Sequence, residues 1–114
     1  MPIATVNPAT GETVRTFTPH TREEVDARIA QASDAQRTLA AAGFAARRGW
    51  MHAAADLVEA DIDLTAPMLS LEMGKPIAQA RAEVLKCAKG MRFYADNAEQ
   101  LLADDELADP SLVG

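Results

Sequence analysis

A single cysteine, Cys87, stands in the 114 residues, so no disulfide can form within the chain and no covalent staple sets its fold. That usage fits a reducing compartment, and the cytoplasm is the expected location. Aromatic residues are scarce at 4%, which leaves few large anchors for a core. No run of about 18 apolar residues occurs, which excludes a helical membrane span. The first residues lack a basic stretch followed by an apolar one, so no secretory leader is expected. The two histidines, His20 and His52, show no H-x-x-x-H spacing and have no second cysteine to join, so no metal site is expected. Basic residues are also in the minority, 11 against 17 acidic, for a net charge of −6. Lys75, Lys86, Lys89 and Arg92 form the nearest approach to a basic cluster. Glu83 and Asp96 interleave with them, which describes a solvated helix face rather than a nucleic-acid surface.

What is present points to helices. Hydrophobic residues make up 48% of the chain, but alanine supplies much of that. Leu, Ile, Val and Phe together reach only about a fifth, so any core built from this chain alone is thin. The length allows one small domain.

Residues 1–19 read as a β-hairpin. Ile3–Val6 and Thr13–Phe17 carry the β-branched and aromatic bias of strands, and Asn7-Pro8-Ala9-Thr10-Gly11 between them suits a type I turn closed by a left-handed glycine. A two-stranded unit is marginal alone and must pack on something. Helices are expected over 21–102. Thr21 and Glu24 form a capping box that opens the first, whose buried stripe is Val25, Ile29, Ala32 and Leu39 and whose stop is Gly43. The second runs from Ala45 to Ala60, with Trp50, Ala54, Leu57 and Val58 on its apolar face. The third starts at Asp63 or Thr65, because a proline at 67 costs ~3 kcal/mol in a helix interior and little in a first turn. It ends at Met73. The fourth runs from Pro76 to Leu102, roughly 40 Å. Ile77, Ala80, Val84, Cys87, Met91, Tyr94, Ala98 and Leu101 alternate steps of three and four along it, and Arg92 and Asp96 are spaced to pair on its exposed side. Gly49 and Gly90 inside these helices each cost up to ~1 kcal/mol, which indicates close packing or a locally weak helix. Residues 103–114 form an acidic tail without periodicity, and Ser111–Gly114 suits the start of a strand.

No constellation in these elements does chemistry. Cys87 sits within the apolar repeat, where a cysteine behaves as a small buried hydrophobe, and neither His20 nor His52 is placed beside it as a base. Gly74-Lys75 lacks the upstream glycine and the following Ser or Thr of a phosphate loop, and no G-x-G-x-x-G follows a strand. Leu71-Glu72-Met73-Gly74-Lys75-Pro76 is instead a helix stop joined to a helix start, with Lys75 at the surface or an interface and Glu72 reaching a neighbouring donor. The repeat on the fourth helix suits packing on a sheet or on other helices better than a coiled-coil seam, because Ala80, Cys87 and Ala98 are small.

The order of these pieces resembles the beginning of the aldehyde dehydrogenase superfamily. The likeness is carried by Val6-Asn7-Pro8-Ala9-Thr10-Gly11-Glu12, the capped helix, Trp50 through Leu57-Val58-Glu59, and Leu71 through Pro76. Glu83 through Gly90 and Phe93-Tyr94-Ala95 are similar to the succinate-semialdehyde dehydrogenase branch. The resemblance implies that the chain is the incomplete N-terminal segment of an α/β cofactor-binding domain. The complete enzyme would oxidise an aldehyde to a carboxylic acid with NAD or NADP, through a cysteine nucleophile and a glutamate-activated water. By the same resemblance those catalytic residues lie beyond Gly114, so no catalytic, cofactor or metal residue maps onto this chain, and Cys87 is not the nucleophile. The remainder of the enzyme, or self-association through exposed apolar faces, is the expected partner. The alternative is a non-catalytic helical module that acts with a partner chain. The first reading predicts that titrating the purified chain with NAD or NADP in a calorimeter gives no binding heat; a saturable isotherm would contradict it.

Overall fold

The computed structural model describes residues 3–105. The end of the acidic tail, 106–114, with the strand start expected at Ser111–Gly114, lies outside the described residues. Two strands and four helices follow in order: β1 (Ile3–Val6), β2 (Thr13–Phe17), α1 (Arg22–Ala41), α2 (Gly43–Ala60), α3 (Ile62–Met73) and α4 (Ile77–Leu101). A mostly helical chain behind an N-terminal hairpin is the architecture expected from the sequence.

The strands pair antiparallel, with Ile3 opposite Phe17 and a register irregularity between Thr5 and Val6. Gly11 takes the left-handed φ of 74° that its place in the turn demands. The turn closes across one residue more than a type I turn does: the Gly11 N–H donates to the Asn7 carbonyl at 2.8 Å. The Asn7 side chain accepts the Ala9 N–H at 2.9 Å, so asparagine supplies the inner hydrogen bond itself.

The expected capping box opens α1, with the Glu24 N–H donating to the Thr21 hydroxyl at 3.2 Å and the Thr21 N–H to the Glu24 carboxylate at 2.9 Å. At the other end Arg47 of α2 donates to the carbonyls of Leu39 and Ala40. The apolar stripe of α1 is not buried, however. None of its residues is, and Ile29 is 62% exposed. It meets α2 over only a few residues, and Val25 and Ile29 stand exposed.

Gly43 has a φ of 71° and turns the chain so sharply that α2 begins there, two residues ahead of Ala45. Helix α3 also begins early. The Asp61 carbonyl accepts the N–H groups of both Leu64 and Thr65, so α3 follows α2 with Asp61 alone between them. Pro67 therefore falls inside the helix, one turn later than expected, and forfeits the hydrogen bond its N–H would have made. Gly74 ends α3 in the left-handed conformation, φ 69°, and Pro76 caps α4.

Helix α4 lies against α2 and α3 through side chains of very small size. Ala55, Ala66, Ala80, Val84 and Ala88 are the buried hydrophobic residues, and Val58, Ile62 and Leu69 pack around them. The buried edge of α4 is Ala80–Val84–Ala88, at steps of four. Cys87, expected to be buried, lies one position round the helix and is exposed, as are Ile77, Tyr94 and Leu101 of the same repeat. A Cβ added at Gly49 or Gly90 would meet nothing within 4 Å. The close neighbour expected at Gly90 is thus absent among the described residues, and of the two readings of Gly49 close packing is the one not met.

The hairpin reaches the helices at one place, where the two most distinctive stretches of sequence meet. The Pro8 ring lies over Gly74, and the Thr5 hydroxyl donates to the Glu72 carboxylate at 3.3 Å. A Cβ at Gly74 would come within 3.1 Å of Pro8 Cγ. Gly74→Ala therefore combines a left-handed alanine, about 1–2 kcal/mol, with a steric clash. It should lower the midpoint of urea unfolding followed by circular dichroism, and adding Pro8→Ala should restore only part of the loss, because the φ penalty remains.

Candidate functional site

The densest set of interacting polar groups lies along one flank of the α2–α4 seam. Arg48, His52, Asp56 and Glu59 form one row on α2, at steps of three and four, and face Arg92 and Asp96 on α4. The Arg92 guanidinium grips both carboxylate oxygens of Glu59 at 2.8 Å and reaches Asp56 at 2.7 Å. The fork geometry matches a carboxylate in two parallel hydrogen bonds, which is the strong form of this contact. It holds the Glu59 carboxyl below the usual carboxylate range and pushes the Arg92 guanidinium higher still. One turn further on, a single oxygen of Asp96 meets His52 Nε2 and Arg48 Nη2, each at 2.9 Å. The His52 hydrogen bond, helped by the Arg48 charge, lowers the Asp96 carboxyl too.

The pair expected within α4, Arg92 with Asp96, is thus replaced by four pairs between helices, two at each residue. The reason is steric. Alanines on the seam bring α2 and α4 so close that side chains at its edge reach across more readily than along the helix. The row on α2 carried the signal: charged residues at helical spacing, opposite two of complementary sign on α4, read as a seam flank rather than a solvated face.

At the start of α4 a second group forms. Lys75 donates to Glu83 at 2.9 Å, Lys86 flanks it at 3.7 Å, and Arg81 pairs with Asp63 of α3. The Lys75 hydrogen bond lowers the Glu83 carboxyl. Lys75, set aside as a phosphate ligand in the sequence, holds α4 at its first turns. Glu72 finds its donor in Thr5, as expected.

None of these groups assembles a reaction centre. Cys87 lies on α4, while the hydrogen bonds of His52 and His20 go to Asp96 and Glu24. Among the described residues no cluster of three or more His, Cys, Asp and Glu side chains has the geometry to hold a metal ion. A hollow of about 560 Å³ is walled by Ala32, Ala35, Leu39 and Trp50 with Gln36 and Thr38, and no ionisable side chain lines it. The geometry is that of a scaffold: two helices locked by ion pairs on one flank and apolar on the other.

This scaffold has a family. The sequence pattern described as "Aldehyde dehydrogenase family" matches residues 1–111, and the chain belongs to that family. Its relatives include the succinate-semialdehyde dehydrogenase [NADP(+)] 1 of Mycobacterium tuberculosis, 59% identical over all 114 residues and covered for 25% of its own length. The succinate-semialdehyde dehydrogenase [NADP(+)] of Mycobacterium avium is 58% identical, with 24% of its length covered. Among solved structures, one described as giving structural insights into cofactor and substrate selection by Gox0499 superposes with a TM-score of 0.89 at 30% identity. It takes in 96% of this chain and 24% of its own. The chain thus corresponds to the N-terminal quarter of these relatives.

The ion-pair flank carries a pH dependence of known sign. Carboxyls held below their ordinary values stabilise the fold above the unfolded pKa near 4, and that stability is lost as pH falls through the lower folded values. Thermal melts should therefore show a midpoint that drops on acidification below about pH 4. Arg92→Met should lower the midpoint at neutral pH and flatten this acid dependence. An unchanged profile would show that the Arg92 clamp does not hold the seam.

Proposed function

We propose that this chain is the N-terminal structural quarter of an NADP-dependent succinate-semialdehyde dehydrogenase, supplying scaffold and not chemistry. The observation that carries the reading is 59% identity, along every residue of the chain, to enzymes named for that activity. In the complete reaction the aldehyde carbon of succinate semialdehyde gives up a hydride to NADP⁺ and gains an oxygen from water. The products are succinate, NADPH and protons. No part of that step is assigned to residues 1–114. Their contribution is to hold the hairpin against Gly74 and to keep α4 fixed on α2 and α3. The interaction-module alternative is disfavoured, because the identity extends from the first residue to the last and is not confined to one apolar face. No cofactor is assigned to the chain itself; NADP belongs to the whole enzyme. Its place is the cytoplasm, in keeping with one unpaired cysteine and with no described helix long and apolar enough to cross a membrane.

The test is a chimera in which residues 1–114 replace the matching quarter of the Mycobacterium tuberculosis relative. The expected result is a soluble enzyme that reduces NADP⁺ with succinate semialdehyde within about tenfold of the parental kcat/KM, a loss of no more than ~1.4 kcal/mol in transition-state stabilisation. A folded chimera without that activity would overturn the reading.

A further inference from the structure

Helices α1 and α2 are one helix interrupted at a single residue. Ala42, between them, keeps right-handed helical angles, φ −68° and ψ −21°. Gly43 departs from them, with its φ of 71°. Around it stand Ala40, Ala41, Ala42, Ala45 and Ala46, the residue type that favours a helix most. The break costs the helical ladder three hydrogen bonds. It leaves out the carbonyls of Leu39, Ala40 and Ala41 and the N–H groups of Gly43, Phe44 and Ala45. Arg47 serves two of those carbonyls, at 3.2 and 3.5 Å, and no side chain caps the start of α2. Set four residues apart, the three carbonyls and the three N–H groups are one another's partners in a continuous helix.

Little holds the bent form. No residue of α1 is buried, and the helix meets α2 over only a few residues. At its far end the hairpin returns to α3 through Pro8 over Gly74 and the exposed Thr5–Glu72 hydrogen bond. Those contacts are a latch on an arm about 30 Å long. Phe44, next to the break, lies beside Tyr94, Ala98 and Leu102 near the end of α4, whereas the latch at Gly74 adjoins its start. Right-handed angles at Gly43 would make one helix of residues 22–60, about 58 Å long. They would carry the hairpin from one end of α4 to well beyond the other. A Cβ added at Gly43 would meet nothing within 4 Å, so its backbone angles and not its packing decide between the two forms.

We infer that Gly43 is a two-state hinge. Left-handed angles there latch the hairpin–α1 arm on Gly74; right-handed angles fuse α1 with α2 and release the hairpin. The test places nitroxide spin labels on the native Cys87, exposed on α4, and on Thr10→Cys in the hairpin turn. Double electron–electron resonance then reads their separation in the full 114-residue chain. The expected result is a short distance from the latched arm beside a minor long one. Gly43→Ala penalises the left-handed angles and favours the helix, so it should raise the ratio of long to short at least ~10-fold. Ala45→Pro should abolish the long distance, because proline is tolerated in the first turn of α2 and not inside a continuous helix. The inference is overturned if Gly43→Ala keeps its helical circular dichroism and shows the short distance alone. It is equally overturned if Ala45→Pro retains the long distance. Should Gly43→Ala lose its helical signal, the parent and Ala45→Pro decide: a long distance that the proline removes supports the hinge, and a parent without one overturns it.

Discussion

Helix α4 can lie along α2 and α3 because the residues at their seam carry almost no side chain. Ala55, Ala66, Ala80 and Ala88 bring the backbones together, and Val84 is the largest side chain buried among the described residues. Most of what else holds the helices follows from that closeness. Arg92 spans the seam to Glu59 and Asp56, and Asp96 spans it to His52 and Arg48. The same alanines set a limit, since a seam of methyl groups removes little apolar area from water and leaves a thin core. The stabilisation that a larger interior would give is missing, and the big apolar side chains stand at the surface.

Much of this was legible beforehand. The Thr21–Glu24 box, the left-handed glycines at 11 and 74, the helix stop at Gly43 and the bounds of α4 depend on local chemistry, and local chemistry is what a sequence displays directly. The misreadings arose where tertiary contact decides. Cys87 belongs to a perfect three–four repeat, but a helix covered on one side buries a narrower stripe than its pattern allows, and Ala88 takes the inner place. Val25 and Ile29 keep the periodicity of a buried face without a body against them. Pro67 was placed by the rule for prolines in a free helix; the tight join at Asp61 overrode it. Arg92 and Asp96 satisfied the spacing for a pair on one helix, and only the depth of the seam told against it.

The sequence offered no candidate reaction centre for a different reason. Catalytic groups must converge, and Cys87, His20 and His52 lie on separate stretches with no spacing that brings them together. Each histidine engages a carboxylate instead. What the sequence hid was the division of α2 and α4 into a charged flank and a bare one. That division is a property of two helices at once, so neither helix shows it alone.

The meeting of Pro8 with Gly74 bears on the order in which the chain assembles. The hairpin, α1 and the α2–α3 corner form from residues near one another in sequence. The Thr5–Glu72 hydrogen bond spans 67 residues, the longest separation of any side-chain hydrogen bond described. Closing so long a loop is entropically costly and is repaid only after its ends exist. On a ribosome the residues of the hairpin therefore emerge well before their docking site, and a two-stranded unit that is marginal alone gains its packing only once Gly74 has emerged and α3 has stopped. The last step of ordering this end of the chain is the arrival of a proline ring on a residue without a side chain.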